Sequence, residues 1–299
     1  MKPENKTEEL LKYIVNREDI TKSQKKWEIE YFAYPDQEAN YNAGQACTTC
    51  PPPHARKEFL ENMLLSLEDR YMVTIYIAYP GTPLNGDDGK PKIDQKTGER
   101  IVSEAGHMWF EIAKIKYEEG NQINNSYGFA PIDSGAWGNG SVTEKDTIHY
   151  ENPYYKRTIE IKEEQYDKLK NFGDTAYKKS DIYFDLYYNG ATNSCIDFTW
   201  QALRHAGLNP SILECNSIQD YCDTTRIWLD KKENKFDGEI SVGDNQVHVR
   251  SIPAPFPNSE LNKEIKNPLP LQSGIQKTIS GLDPDSYRKP ALANQIRGK

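Results

Sequence analysis

A run of six residues, at positions 193–198, fixes where one helix of this chain begins. It reads Asn-Ser-Cys-Ile-Asp-Phe, so Ser194 can cap the helix and Asp197 can complete a capping box. Cys195 then takes the first helical position, beside N–H groups that a helix leaves unpaired and at the positive end of its dipole. Because that environment favours a thiolate and can stabilise an oxyanion, we predict that Cys195 is a nucleophile.

A nucleophilic thiol needs a base, and His107 is the best candidate. It opens the segment HMWFEI, in which apolar residues at every second position predict a strand with the histidine on the other face. A polar hairpin follows, and residues 126–131 are expected to return as a second strand. On or just beyond that strand, Ser126, Tyr127 or Asp133 could orient the imidazole.

At these positions the chain resembles the permuted papain-like hydrolases, relatives of the NlpC/P60 peptidases in which the histidine-bearing strands precede the cysteine helix. The resemblance is carried by Gly-His at 106–107, Tyr-Gly-Phe-x-Pro at 127–131 and Asn-x-Cys-x-x-Phe at 193–198, and it covers roughly residues 70–210. The lecithin:retinol acyltransferase-like proteins share this order and a similar cysteine element. The resemblance implies a Cys-His hydrolase or acyltransferase, with Cys195 as nucleophile and His107 as base.

Two other interpretations of these residues stay open. His248 lies downstream of Cys195, which is the order of the unpermuted peptidases, and is therefore the rival base. We favour His107 because its flanking residues match the permuted order. A cysteine at a helix start can also be only a small buried hydrophobe, which would make the chain a non-catalytic binding module.

The pattern of elements divides the chain into three parts. Residues 1–70 show mostly helical periodicity, and residues 71–210 alternate strands with long polar loops and form the catalytic core. Residues 211–299 are expected to contain a hairpin at 235–252 and then an extended, proline-rich tail. The predicted fold is therefore α+β, and the resemblance implies that the cysteine helix packs on the small antiparallel sheet of a permuted papain-like core.

Charge and hydropathy exclude several classes of partner. The 299 residues carry a net charge of −8 and have no notable basic cluster, so nucleic acid is not an expected ligand. No apolar run approaches the length of a membrane span. The first residues lack the apolar core of a secretory signal, so we expect synthesis in the cytoplasm without a signal peptide.

No metal or organic cofactor is expected. The stretch Asn-Gly-Asp-Asp-Gly at 85–89 lacks the ligand spacing of an EF-hand and is interpreted as a solvated loop. The five cysteines would allow two pairs and one free thiol, namely Cys195. Pairing of Cys47 with Cys50, or of Cys215 with Cys222, cannot be decided from their spacing.

The resemblance also implies a biological role. We expect hydrolysis of an amide in bacterial peptidoglycan peptide by an antibacterial effector, exported by a contact-dependent (type VI) secretion system and active in the periplasm of the target cell. Its partners would be peptidoglycan or another acyl substrate, a cognate immunity protein and a component of the secretion apparatus. A lipid- or protein-directed acyl-enzyme (a lipase, acyltransferase, protease or deamidase) with the same dyad is the alternative.

Overall fold

The computed structural model describes residues 6–33, 57–117, 122–133, 135–211 and 238–270. The strands there are β1 (Arg70–Ala78), β2 (His107–Ile115), β3 (Gln122–Pro131), β4 (Trp137–Thr143), β5 (Tyr155–Ile161), β6 (Tyr187–Asn189) and β7 (Lys263–Lys266). The helices are α1 (Lys6–Val15), α2 (Lys22–Ala33), α3 (Lys57–Leu65), α4 (Asp146–His149), α5 (Glu163–Tyr177), α6 (Cys195–His205) and α7 (Asn245–Ser251). None of these helices has the length and apolarity that crossing a membrane requires.

The seven strands form one antiparallel sheet in the order β6-β4-β3-β2-β1-β5-β7. The α+β class expected from the sequence is therefore confirmed. Side chains alternate between the two faces of the sheet, and Met108, Phe110 and Ile112 of β2 point into the main hydrophobic core. His107 and Trp109 alternate with them, as the pattern predicts.

Helix α6 packs on the core face of the sheet through Phe198. The rings of Phe110, Phe129 and Phe172 surround that side chain, with centroid separations between 5.4 and 6.0 Å. The Thr199 hydroxyl lies 3.3 Å from the carbonyl oxygen of Met108, next in the chain to His107. These contacts fix the start of α6 near the start of β2.

The hairpin expected at 235–252 is wrong for the residues described there. A short 3-10 turn (Val242–Asp244) leads directly into α7. The reason is the buried Asn245 side chain, whose oxygen accepts hydrogen bonds from Trp200 Nε1 and Glu239 N, both at 2.8 Å. Its amide nitrogen donates to the carbonyls of Glu239 and Ser241. The hydrogen bonds around this side chain, which we call the Asn245 hub, thus take the place of the expected hairpin.

The N-terminal helices form a smaller core of their own, centred on Leu11, Ile14, Ile29, Leu60 and Leu67. The segment before β7 joins them to the sheet, because Asn62 Nδ2 donates to the carbonyl of Asn258 and Glu260 N donates to Asn62 Oδ1, both at 2.9 Å. Of the extended tail expected after residue 252, the described part (253–270) forms bends and turns and then β7, which pairs with β5. The rest of the tail lies outside the described residues, as do Cys47, Cys50, Cys215 and Cys222.

Candidate active site

The predicted capping box at the start of α6 is present. Ser194 Oγ accepts from the backbone N–H groups of Ile196 and Asp197, while Ser194 N donates to Asp197 Oδ2 at 2.7 Å. Two of the N–H groups expected beside the thiol are therefore already used, and a third, that of Phe198, donates to Ser194 O. The N–H of Cys195 itself makes no hydrogen bond within the described part of the chain, so it remains available to a ligand.

His107 is held by a carboxylate that the sequence did not single out. Its Nε2 lies 3.1 Å from Asp146 Oδ2, and both side chains are only 5% exposed. Asp146 opens α4, which covers the face of the sheet opposite α6. Because Asp146 occupies Nε2, Nδ1 is the ring nitrogen that is left for the thiol.

Gly128 of β3 makes room for this pair. A Cβ atom at that position would lie 1.7 Å from Asp146 Oδ2 and 2.8 Å from His107 Nε2. Since such contacts are far inside van der Waals distance, any side chain at position 128 would displace the carboxylate or the imidazole. The glycine of the Tyr-Gly-Phe element is therefore required because the His107–Asp146 pair occupies the space that a side chain would need.

Two aromatic rings enclose the His107 imidazole. The Tyr150 ring stacks on it at 4.9 Å between centroids and the Trp109 ring at 5.6 Å, with interplanar angles of 15° and 20°. Aromatic faces attract cations, and the attraction grows when water is excluded. The stack therefore favours the protonated form of a ring that is almost completely buried.

The groups around His107 also favour its protonated form. Burial alone would lower the pKa of His107, but Tyr150, which stacks on the ring, together with Asp146 and Cys195 holds it well above its ordinary value. The Tyr150 phenol is itself neutral near pH 7 because burial raises its pKa. The buried Asp146 carboxylate is therefore the hydrogen-bonded group that stabilises the imidazolium.

Cys195 lies at the start of α6, near the start of β2 where His107 stands. Cys195 is 6% exposed, and no hydrogen bond joins its sulfur to the imidazole among the described residues. Burial raises the pKa of Tyr188 in β6 to about 12, so its phenol is neutral near pH 7.

The three residues expected to orient His107 have other contacts. The Tyr127 hydroxyl donates to Asp174 at 2.5 Å on the core side of the sheet, and Asp133 is exposed beyond the end of β3. Ser126 Oγ accepts from Thr147 Oγ1 at 3.2 Å and so holds α4, next to Asp146. In the sequence, Asp146 looks like an ordinary acidic residue at a helix start, and no spacing signal relates it to His107.

The rival base His248 has a separate partner. Its Nε2 lies 3.1 Å from Glu239 Oε1, and both side chains are buried beside the Asn245 hub. Within the described ranges, no group of three or more His, Cys, Asp or Glu side chains could hold a metal ion.

Comparison of the chain with protein-family models, curated proteins and solved structures finds no match. The chemistry of the site must therefore be inferred from its own geometry. A helix-start thiol, a free N–H and an oriented imidazole are the parts that acyl transfer through a thioester requires.

Proposed function

We propose that this chain is a cysteine hydrolase with a permuted papain-like core, and that it works through an acyl-enzyme. The observation that carries the proposal is the buried His107–Asp146 pair, with Nε2 3.1 Å from Oδ2, at the start of the strand on which the helix that begins at Cys195 packs. A nucleophile, a base and a group that orients the base are the recurring parts of this chemistry. The resemblance in the sequence supports the same assignment.

In the first half of the reaction, the Cys195 thiol gives its proton to His107 Nδ1, and the sulfur attacks the carbonyl carbon of an amide. The negative oxygen of the tetrahedral intermediate accepts from the N–H of Cys195, and the neutral Tyr188 phenol is the candidate second donor. The imidazolium then protonates the amine as the C–N bond breaks, which leaves a thioester.

In the second half, His107 takes a proton from water as the water oxygen attacks the thioester. Collapse of the second tetrahedral intermediate breaks the C–S bond, and the proton returns to the sulfur. The free acid leaves, and the thiol and imidazole are restored. Throughout, Asp146 fixes the ring orientation and offsets the positive charge of the imidazolium.

The proposed substrate is an amide in the peptide of bacterial peptidoglycan, and the proposed role is that of an antibacterial effector. Export by a contact-dependent secretion system, action in the target periplasm and blocking by a cognate immunity protein belong to the same proposal. Support for this part comes from the sequence resemblance, and the site chemistry is compatible with it because a thioester route cleaves unactivated amides.

Incubation with purified peptidoglycan, followed by mass spectrometry of the soluble fragments, tests the proposal. We expect new amine and carboxyl termini at one peptide bond, and no fragments from a folded Cys195→Ala protein. If the sacculi stay intact while the protein cleaves an acyl ester in a Cys195-dependent way, the substrate class is wrong. A Cys195→Ala protein with full activity would contradict the mechanism itself.

Alkylation of the cysteines measures the reactivity of Cys195 without any substrate. Near neutral pH, iodoacetamide should modify Cys195 first among the five cysteines, because we propose that it is the nucleophile and that His107 takes its proton. The His107→Gln variant should slow this labelling without changing that of the other four. Faster labelling of Cys47 or Cys50 would place the reactive thiol elsewhere.

A further inference from the structure

Two large aromatic side chains are exposed together at one end of the sheet. Trp137 of β4 is 73% exposed and Tyr187 of β6 is 53% exposed. In the antiparallel register, Trp137 lies opposite Asn189 and Tyr187 lies opposite Asn139. We call these four residues the aromatic–amide patch. Each of the two adjacent strands contributes one aromatic ring and one amide to it.

All four side chains lie on the face of the sheet opposite α6. The residues of β4 that alternate with them point into the core, because Val142 is buried there and a Cβ at Gly140 would lie 2.3 Å from the Phe129 ring. In β6 the alternating residue is Tyr188, whose ring lies 5.5 Å from that of Phe129. His107 alternates with core residues in the same way, so it shares its face with the patch.

The patch is continuous with the loop that carries the nucleophile. Asn189 N donates to Asn193 O at 3.0 Å, and Asn193 N donates to Asn189 O at 2.8 Å, which closes residues 189–193 into a tight loop. Cys195 follows two residues later. The patch and the nucleophile are therefore joined by one short loop.

The backbone groups on the outer edge of β6 already make hydrogen bonds within the protein. Tyr187 N donates to Asp185 Oδ1 at 2.9 Å, and Asn193 Nδ2 donates to the carbonyls of Tyr187 and Asp185 at 2.7 and 2.8 Å. A polypeptide strand that joins a sheet edge needs free backbone groups there. The central residue of β6 offers none, so a ligand of the patch must contact side chains.

Of the side chains in the patch, Trp137, Asn139 and Tyr187 are exposed. Asn189 is half-buried, and its Oδ1 already accepts from Ala191 N at 3.0 Å, which leaves its Nδ2 for a ligand.

The chemistry of the patch fits a neutral carbohydrate. The C–H face of a pyranose ring is apolar and stacks on Trp and Tyr rings, while its hydroxyl and acetamido groups pair with side-chain amides. No member of the patch is charged, although the chain as a whole carries −8. We infer that the aromatic–amide patch binds the glycan strand of peptidoglycan and so presents the attached peptide to Cys195; this inference rests on the proposed function.

Binding of peptide-free glycan strands tests the inference directly. The Cys195→Ala protein should bind them in calorimetry, and adding Trp137→Ala or Tyr187→Ala should weaken that binding at least about tenfold, as loss of one ring stack implies. Trp27→Ala and Tyr31→Ala are matched controls, because these rings on α2 are 62% and 41% exposed. They should leave the affinity unchanged.

Three results would overturn the inference: no glycan binding by the parent protein, equal binding by the patch variants, or a dimer in ultracentrifugation that Trp137→Ala dissociates. The last would assign the patch to a second copy of the chain.

Cleavage of a sugar-free stem peptide separates this inference from the proposed function. If cleavage depends on Cys195 while glycan binding fails, only the glycan site is wrong; if glycan binds and nothing is cleaved, only the hydrolase is wrong.

Discussion

His107 Nε2 lies 3.1 Å from Asp146 Oδ2, with both side chains 5% exposed. These residues come from opposite ends of a hairpin-rich segment, β2 at one end and α4 at the other. A buried hydrogen bond to a charged group is both strong and directional. The pair therefore sets which nitrogen of the imidazole can serve the thiol.

Replacing Asp146 by Asn should lower kcat/KM by about two orders of magnitude or more, because the amide can stabilise the wrong tautomer and cannot offset the imidazolium. The pKa of His107 should fall at the same time. Steady-state kinetics and an NMR titration of the His107 ring measure the two effects. An unchanged His107 pKa in a folded Asp146→Asn protein would show that the carboxylate has no such role.

Gly128→Ala should inactivate the protein while its helices and strands persist. The new methyl group would occupy the space of Asp146 Oδ2 and His107 Nε2, so one of these side chains must move. Gly190→Ala is the matched control, since a Cβ there meets nothing closer than 3.4 Å. Circular dichroism checks the fold, and turnover of the same substrate by both variants decides the comparison.

The two candidate bases can be separated by substitution. His107→Ala should lower turnover by about 10²- to 10⁴-fold, the usual contribution of a general base. His248→Gln should retain the turnover of the folded fraction, because the described contact of His248 is with Glu239. Active-site titration corrects for any unfolded protein. A His248→Gln protein as inactive as Cys195→Ala would reverse the assignment and contradict the permuted order.

The pH dependence of stability follows from the raised pKa of His107. The folded state holds this proton more tightly than the unfolded chain, whose histidines titrate near pH 6.5. The stabilisation is therefore complete below about pH 6.5 and is lost as pH rises through the higher folded pKa.

Urea unfolding of Cys195→Ser, in which the thiol no longer titrates, should show this loss as pH rises above about 6.5. The same protein with His107→Gln added should show a smaller decrease over that range. An equal decrease in the two proteins would mean that the pKa of His107 is not raised by its remaining neighbours.

The sequence located the parts of the fold that depend on local signals. Ser194 and Asp197 define the start of α6 within one helical turn, and alternation in β2 correctly separates His107 from Met108 and Phe110. Both signals act over a few residues, so they can be detected without knowledge of the rest of the chain.

Contacts between distant residues could not be obtained in this way. Asp146 reaches His107 across 39 positions, through the packing of α4 against the sheet. Asn245 reaches Trp200 across 45 positions and converts an expected hairpin into a helix. In both cases the partner of a buried polar group comes from a distant part of the chain, and no pattern of neighbouring residues encodes that choice.

The Asn245 hub has a consequence for the order of folding. Trp200 leaves the ribosome well before Asn245, and the link from Asn62 to Asn258 spans 196 positions. Until those later residues emerge, the indole nitrogen of Trp200, in the helix that begins at Cys195, lacks its acceptor in the Asn245 hub. Contacts of such long range slow the final assembly of a domain. A nascent chain would therefore carry the proposed catalytic residues for some time before it could hold them in place.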